Sequence, residues 1–98
     1  MKNKIIIDIP SHLDVSTSPE LKNILFETIS NVEAISTAED IILDFSKTEL
    51  VTSAGLRVLM QAQKNVQASN INMTMKNISP EVMEVFNITG VSKIFSIV

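Results

Sequence analysis

IILDFSKTELVTSAGLRVLMQAQK, residues 41–64, passes from an apolar run through a short polar segment into a helical apolar spacing. Ile41 to Phe45 are nearly continuous in apolar side chains, the pattern of a short strand covered on both faces. Residues 46–50, SKTEL, read as a loop. Beyond Ser53, apolar or small residues recur at Gly55, Val58, Leu59, Ala62 and Val66, which predicts an amphipathic helix over about 54–68. Strand, loop and helix in this order form half of a β-α-β unit. A pair of hydroxyls, Thr52 and Ser53, stands at the seam.

The flanking sequence repeats the alternation. KIIIDI (4–9) predicts a strand stopped by Pro10, and residues 11–18 a polar loop. Ser18 before Pro19 suits an N-cap, with Glu20 in the first turn. Leu21, Leu25, Ile29 and Val32 then share one stripe, flanked by Ile24 and Thr28, predicting a helix over about 19–34. Residues 36–40, STAED, read as a turn. INMTM (71–75) alternates as a strand. Ser79-Pro80-Glu81 opens a third helix, carried by Val82, Val85, Phe86 and Ile88 or Thr89, and Gly90 ends it as a left-handed cap. IFSIV closes the chain as a strand or extended tail. The expected fold is α/β: one small domain over residues 1–98, with a mostly parallel four-stranded sheet and about three helices joined by right-handed crossovers.

Composition narrows the function classes. Hydrophobic residues make up 45% and charged residues 19%, so the chain has the means to build a small core. The net charge is −3 and the eight basic residues are dispersed. Nucleic-acid binding, which needs clustered cations and stacking aromatics, is not expected from a chain without Trp or Tyr. The absence of Cys excludes disulfides, thiolate metal sites and cysteine nucleophiles. No apolar run has the roughly 18 residues of a membrane span, and KIIIDIP is too short and interrupted for a signal peptide. A cytoplasmic protein is expected.

Enzymatic constellations are missing. Two glycines, Gly55 and Gly90, cannot write a P-loop or a dinucleotide fingerprint. His12, two residues from Asp14, lacks the imidazole or thiolate partners of a metal site and reads as a solvated loop residue. A Ser53–His12–Asp14 triad has no nucleophile-elbow sequence around the serine. Asp44 is either a buried acid with a raised pKa or a strand-end residue bonded to a backbone amide, the second being the commoner case. Glu49 reads as solvated. No catalytic residue, cofactor or metal is expected.

Ser53 has two readings. As an N-cap it would accept an amide N–H of the helix, worth about 1 kcal/mol. As an acceptor of a phosphoryl group it would place about −1.5 to −2 of charge where helix amides and the helix dipole favour it, leaving the fold intact while altering a binding surface. Leu56 and Met60, four apart and off the main buried stripe, are candidates for an apolar patch beside it. The alternative is that they fill the core.

The segment DFSKTELVTSAGLRVLMQAQK (44–64) resembles the signature of STAS domains, specifically bacterial anti-sigma factor antagonists. The resemblance extends through HLDVSTSPELK (12–22) and SPEVMEVFNITGVSKIF (79–95), and so over nearly the whole chain. It implies that Ser53 is the phospho-acceptor, that Thr52, Ala54, Gly55 and Leu56 complete the switch motif, and that Asp14 is the family's acidic residue in the neighbouring loop. Thr52 stands where the family has Asp. Ser11 or His12 replaces the usual Gly before Leu-Asp, and the chain begins at what resembles the family's second strand, so a smaller sheet is expected.

The implied function is not catalysis. Unphosphorylated protein would bind an anti-sigma factor that is itself a GHKL-type serine kinase, releasing a sigma factor. Phosphorylation of Ser53 would end the contact, and a PP2C-type phosphatase would restore it. The alternative is a constitutive STAS adaptor in a transport or lipid-trafficking complex, with Ser53 acting only as a cap.

Overall fold

The computed structural model describes residues 3–31 and 38–98. Strand β1 (Asn3–Asp8), β2 (His12–Leu13), helix α1 (Ser18–Ser30), β3 (Ala38–Asp44), β4 (Leu50–Val51), α2 (Ser53–Ala68), β5 (Asn72–Lys76), α3 (Pro80–Thr89), a 3₁₀ turn (Val91–Lys93) and β6 (Ser96–Ile97) follow one another. The main sheet runs β1-β3-β5-β6 with every pairing parallel. This is the four-stranded α/β fold expected from the alternation, and three α-helices lie among the described residues.

Strand alternation sets the two faces of the sheet. Ile5 pairs with Ile41 and Ile41 with Met73; Ile7 pairs with Leu43 and Leu43 with Met75. These rows point to the face that carries the core. Leu21 and Leu25 of α1, Leu59, Ala62 and Val66 of α2, and Val82 and Phe86 of α3 are buried against it. Phe45 and Phe86 meet edge to face, with ring centroids 5.9 Å apart. On the opposite face lies the row Ile6, Ile42, Thr74. Ile42 is buried there but outside the contiguous core, and Ile6 is 64% exposed.

Several boundaries differ from the sequence reading. Helix α1 ends at Ser30, because Asn31 is already extended at φ −78°, ψ 100°. Residues 32–34 of the expected helix, Val32 included, and 36–37 of the expected turn lie outside the described residues. Ala38 to Asp40 are strand rather than turn, held in register with β1. Ser18 is not an N-cap. Thr17 occupies that position without a capping bond, and the buried Ser18 hydroxyl donates back to the Asp14 carbonyl. Ile88 is 77% exposed, so α3 buries Val82 and Phe86 instead. The third helix otherwise follows expectation. Ser79 Oγ accepts from Val82 N at 3.2 Å, and Gly90 takes the left-handed conformation at φ 79°.

Candidate functional site

The residues around Ser53 are positioned by a second, two-stranded sheet in segments that read as loops. His12 and Leu13 pair in parallel with Leu50 and Val51. Neither segment has the length or alternation that signals a strand. What holds them together is a set of backbone and hydroxyl bonds. Thr48, buried, donates its hydroxyl to the Pro10 carbonyl at 2.9 Å, and Ser11 O accepts the amides of Glu49 and Leu50 at 2.8 and 3.3 Å. Thr52 N donates to Leu13 O at 2.9 Å, and the Thr52 hydroxyl reaches the same oxygen at 3.4 Å.

Helix α2 begins directly beyond. Thr52, extended at ψ 176°, is the N-cap, and its carbonyl accepts from Leu56 N at 3.0 Å. The Thr52 side chain makes no capping bond, and among the described residues no side chain accepts from the leading amides of α2. Ser53 is therefore the first helical residue rather than the cap. It is exposed, and its hydroxyl bonds to none of the described residues. The capping reading of Ser53 does not hold, because Thr52 has taken the position and spends its hydroxyl on Leu13.

Asp14 is brought into the adjoining turn, directly after Leu13. Its Oδ1 accepts the Ser16 hydroxyl at 2.6 Å, the Ser16 amide at 2.9 Å and the Thr17 amide at 3.2 Å. Thr17 Oγ1 in turn donates to His12 O at 2.7 Å and accepts from Asp14 N at 3.0 Å. The Ser16 hydroxyl, then the Ser16 amide, hold the Asp14 carboxyl below its usual pKa. Its primary structural task is to shape its own loop, with Oδ2 unengaged among the described residues.

The remaining members of the motif divide. Ala54 is half-buried. Gly55 is buried and offers a partner no side chain. A β-carbon there would lie 2.6 Å from Leu13 Cγ and 2.8 Å from Leu13 O. Leu56 is only 8% exposed and belongs to the core, so the expectation that it lies off the buried stripe is corrected. Helix α2 packs a wider arc than the four-three spacing suggested, since Leu56, about 100° round the helix from Gly55 and beyond Leu59, is buried as well. Met60 is 38% exposed and remains available.

Ser53, Leu56 and Met60 nevertheless share one groove of about 490 Å³. Leu56 and Val91 form its buried floor, and Met60 and Ile94 its exposed apolar walls. Arg57 and Lys64 line it as well, each a turn or more along α2 from Ser53. Val91, Ile94 and the two cations were not singled out from the sequence. Arg57 and Lys64 are single charges in a helix, and Val91 and Ile94 reach the groove only through the turn after Gly90.

The other candidate groups lie elsewhere. His12 Nε2 lies 3.8 Å from Glu49, with both side chains more than half exposed, and the imidazole bonds to neither Ser53 nor the Asp14 carboxylate among the described residues. Asp44 ends its strand, and its Oδ1 accepts Asn77 Nδ2 at 3.1 Å and Ser46 N at 2.9 Å. These bonds, the Asn77 amide first, lower its pKa. Partly exposed at the end of β3 and bonded to the Ser46 amide, Asp44 is the strand-end residue rather than a buried acid. No group of three or more His, Cys, Asp or Glu able to hold a metal occurs among the described residues.

Ser53 thus stands exposed at the start of α2, braced by a small parallel ladder and opening on an apolar groove. The model of the STAS domain family matches residues 2–98. The chain belongs to the STAS domain family. Its sequence is 32% identical over 57 residues to BtrV of Bordetella bronchiseptica, provisionally named an anti-sigma factor antagonist. That match covers 58% of this chain and 49% of BtrV, so it spans about half the length of that relative. A Thermotoga maritima protein with the same provisional description superimposes with a TM-score of 0.78, at 20% identity, over 94% of this STAS domain and 77% of that chain. The phosphorylated form of the Bacillus cell fate determinant SpoIIAA superimposes at 0.71, with 16% identity, over 100% of this chain and 85% of that one. At such identities the superpositions show a shared fold. No helix among the described residues is long and apolar enough to cross a membrane.

Proposed function

We propose that this STAS domain is an anti-sigma factor antagonist whose contact with an anti-sigma factor of the GHKL serine kinase type is switched by phosphorylation of Ser53. The observation that carries this reading is the position of Ser53: exposed, unbonded, first in α2, and lining the apolar groove. Among the described residues its hydroxyl makes no hydrogen bond, whereas the Thr52 hydroxyl is turned to Leu13 O.

Electrostatics supply the switch. In the unmodified protein the groove offers apolar walls flanked by Arg57 and Lys64, which suits a partner surface that is apolar and acidic. During phosphorylation the Ser53 oxygen attacks the γ-phosphorus of ATP, ADP departs, and the serine proton passes to a base on the kinase. The product carries about −1.5 to −2 of charge. It finds donors in the uncapped amides of α2 and in Arg57 one turn along. The groove then loses its cationic rim and presents an anion to an acidic partner, while the backbone is undisturbed. Hydrolysis of the phosphoserine by a PP2C-type phosphatase would reset it. On this reading the protein acts in the cytoplasm as ligand and substrate, and its Asp14 loop, braced on the same Leu13, adds an acidic margin to the docking surface.

The test is capture from native lysate with wild type, Ser53→Asp and chemically defined phosphoserine-53 protein. Wild type is expected to retain a GHKL-type kinase that both modified forms release. Equal retention by all three would replace the switch with a constitutive adaptor.

A further inference from the structure

Strand β1 ends the main sheet, and among the described residues it pairs only with β3. In a parallel ladder, alternate residues turn both backbone groups to the same neighbour. Ile9 N donates to Asp44 O at 2.9 Å, which assigns Ile5, Ile7 and Ile9 to the β3 side. The amides and carbonyls of Lys4, Ile6 and Asp8 therefore point outward, without partners among the described residues. Such an edge is a template for another strand.

The side chains along it are self-complementary. Lys4, Ile6 and Asp8 are all exposed and share the face away from the helices. Ile6 is 64% exposed, an uncommon position for isoleucine in the middle of a strand. Place a second β1 antiparallel to the first, with the two-fold axis at Ile6. The outward backbone groups of Ile6 meet those of its copy as a hydrogen-bonded pair. Lys4 then stands opposite the copy's Asp8, and Asp8 opposite its Lys4. On the helical face the half-exposed Ile5 is covered by the copy's Ile7. Backbone register, charge order and apolar cover all agree on this one arrangement. A one-residue slip would break all three.

We propose that β1 is a self-association edge, two copies joining their sheets antiparallel about Ile6 into one continuous eight-stranded sheet. The test is sedimentation equilibrium of the 98-residue protein across a wide concentration range, with circular dichroism confirming that each variant is folded. Wild type is expected to show a reversible monomer–dimer equilibrium. Lys4→Asp sets an acid opposite Asp8 and is expected to weaken dimerisation at least about tenfold. The double variant Lys4→Asp/Asp8→Lys restores opposite charges and is expected to recover the dimer. Ile6→Lys is expected to abolish it. If the single charge variant does not fold, Asp8→Lys replaces it, since it places two cations opposite one another. Wild type that stays monomeric at its highest soluble concentration overturns the proposal. So does a dimer indifferent to the single reversal, or one that the double reversal fails to restore.

Discussion

Gly55 lies so close to Leu13 that a β-carbon at position 55 would stand 2.6 Å from Leu13 Cγ and 2.8 Å from the Leu13 carbonyl oxygen. The second contact is with backbone that is also fixed by the Thr52 amide at 2.9 Å, so it cannot move aside cheaply. Gly55→Ala is therefore expected to destabilise the fold by about 1–3 kcal/mol, the usual range for overpacking. Urea unfolding would read this as a lower midpoint with an unchanged slope. A variant as stable as wild type would show that the first turn of α2 does not depend on that approach.

Ser53 makes the opposite prediction. Its hydroxyl has no partner among the described residues, and Thr52 holds the N-cap. Ser53→Ala should change stability by no more than about 0.5 kcal/mol, as for an ordinary surface position. It should abolish phosphorylation by the captured kinase and leave binding in place. A loss near 1–2 kcal/mol in thermal or urea unfolding would return Ser53 to a structural role.

The groove can be tested away from the serine. Met60 and Ile94 are 38% and 49% exposed on its walls. Met60→Glu should leave the fold intact and weaken kinase binding by more than about 1.4 kcal/mol, a factor of ten, in titration calorimetry. Unchanged affinity would move the docking surface elsewhere.

Acid sensitivity follows from two carboxylates. Asp14 and Asp44 both have folded-state pKa values lowered by hydrogen bonds, from the Ser16 hydroxyl and the Asn77 amide first. A depressed carboxylate contributes stability that is fully present above its unfolded value, about 3.9, and is lost as pH falls through the folded value. Stability should thus be flat with respect to these groups near neutrality and decline below about pH 4. Asp14→Asn and Asp44→Asn should each flatten that decline in a pH series of unfolding midpoints. Profiles parallel to wild type would contradict the assignment.

The periodic parts of the chain were legible because burial imposes a period. Leu21 and Leu25, or Leu59, Ala62 and Val66, recur as a helix requires, and Gly90 marked its own left-handed cap. The β2–β4 ladder was not legible. His12–Leu13 and Leu50–Val51 are two residues each, and what joins them is Thr48 and Ser11 bonding across the chain, which no local pattern announces. The burial of Leu56 is hidden for a related reason: α2 is covered on a wider arc than its apolar spacing shows, and Val91, beside Leu56 on the groove floor, comes from a turn distant in sequence. The serine itself was found from its motif. Its freedom from any capping duty appears only once Thr52 is seen turned toward Leu13.

On the proposed function, a phosphoryl group on Ser53 breaks the contact while sparing the fold. The most direct measurement is the affinity of the captured GHKL-type kinase for unmodified and phosphoserine-53 protein, side by side with their unfolding midpoints. Phosphorylation is expected to lower affinity at least about a hundredfold, about 2.7 kcal/mol, with near-equal midpoints. Equal affinity for the two forms would contradict it.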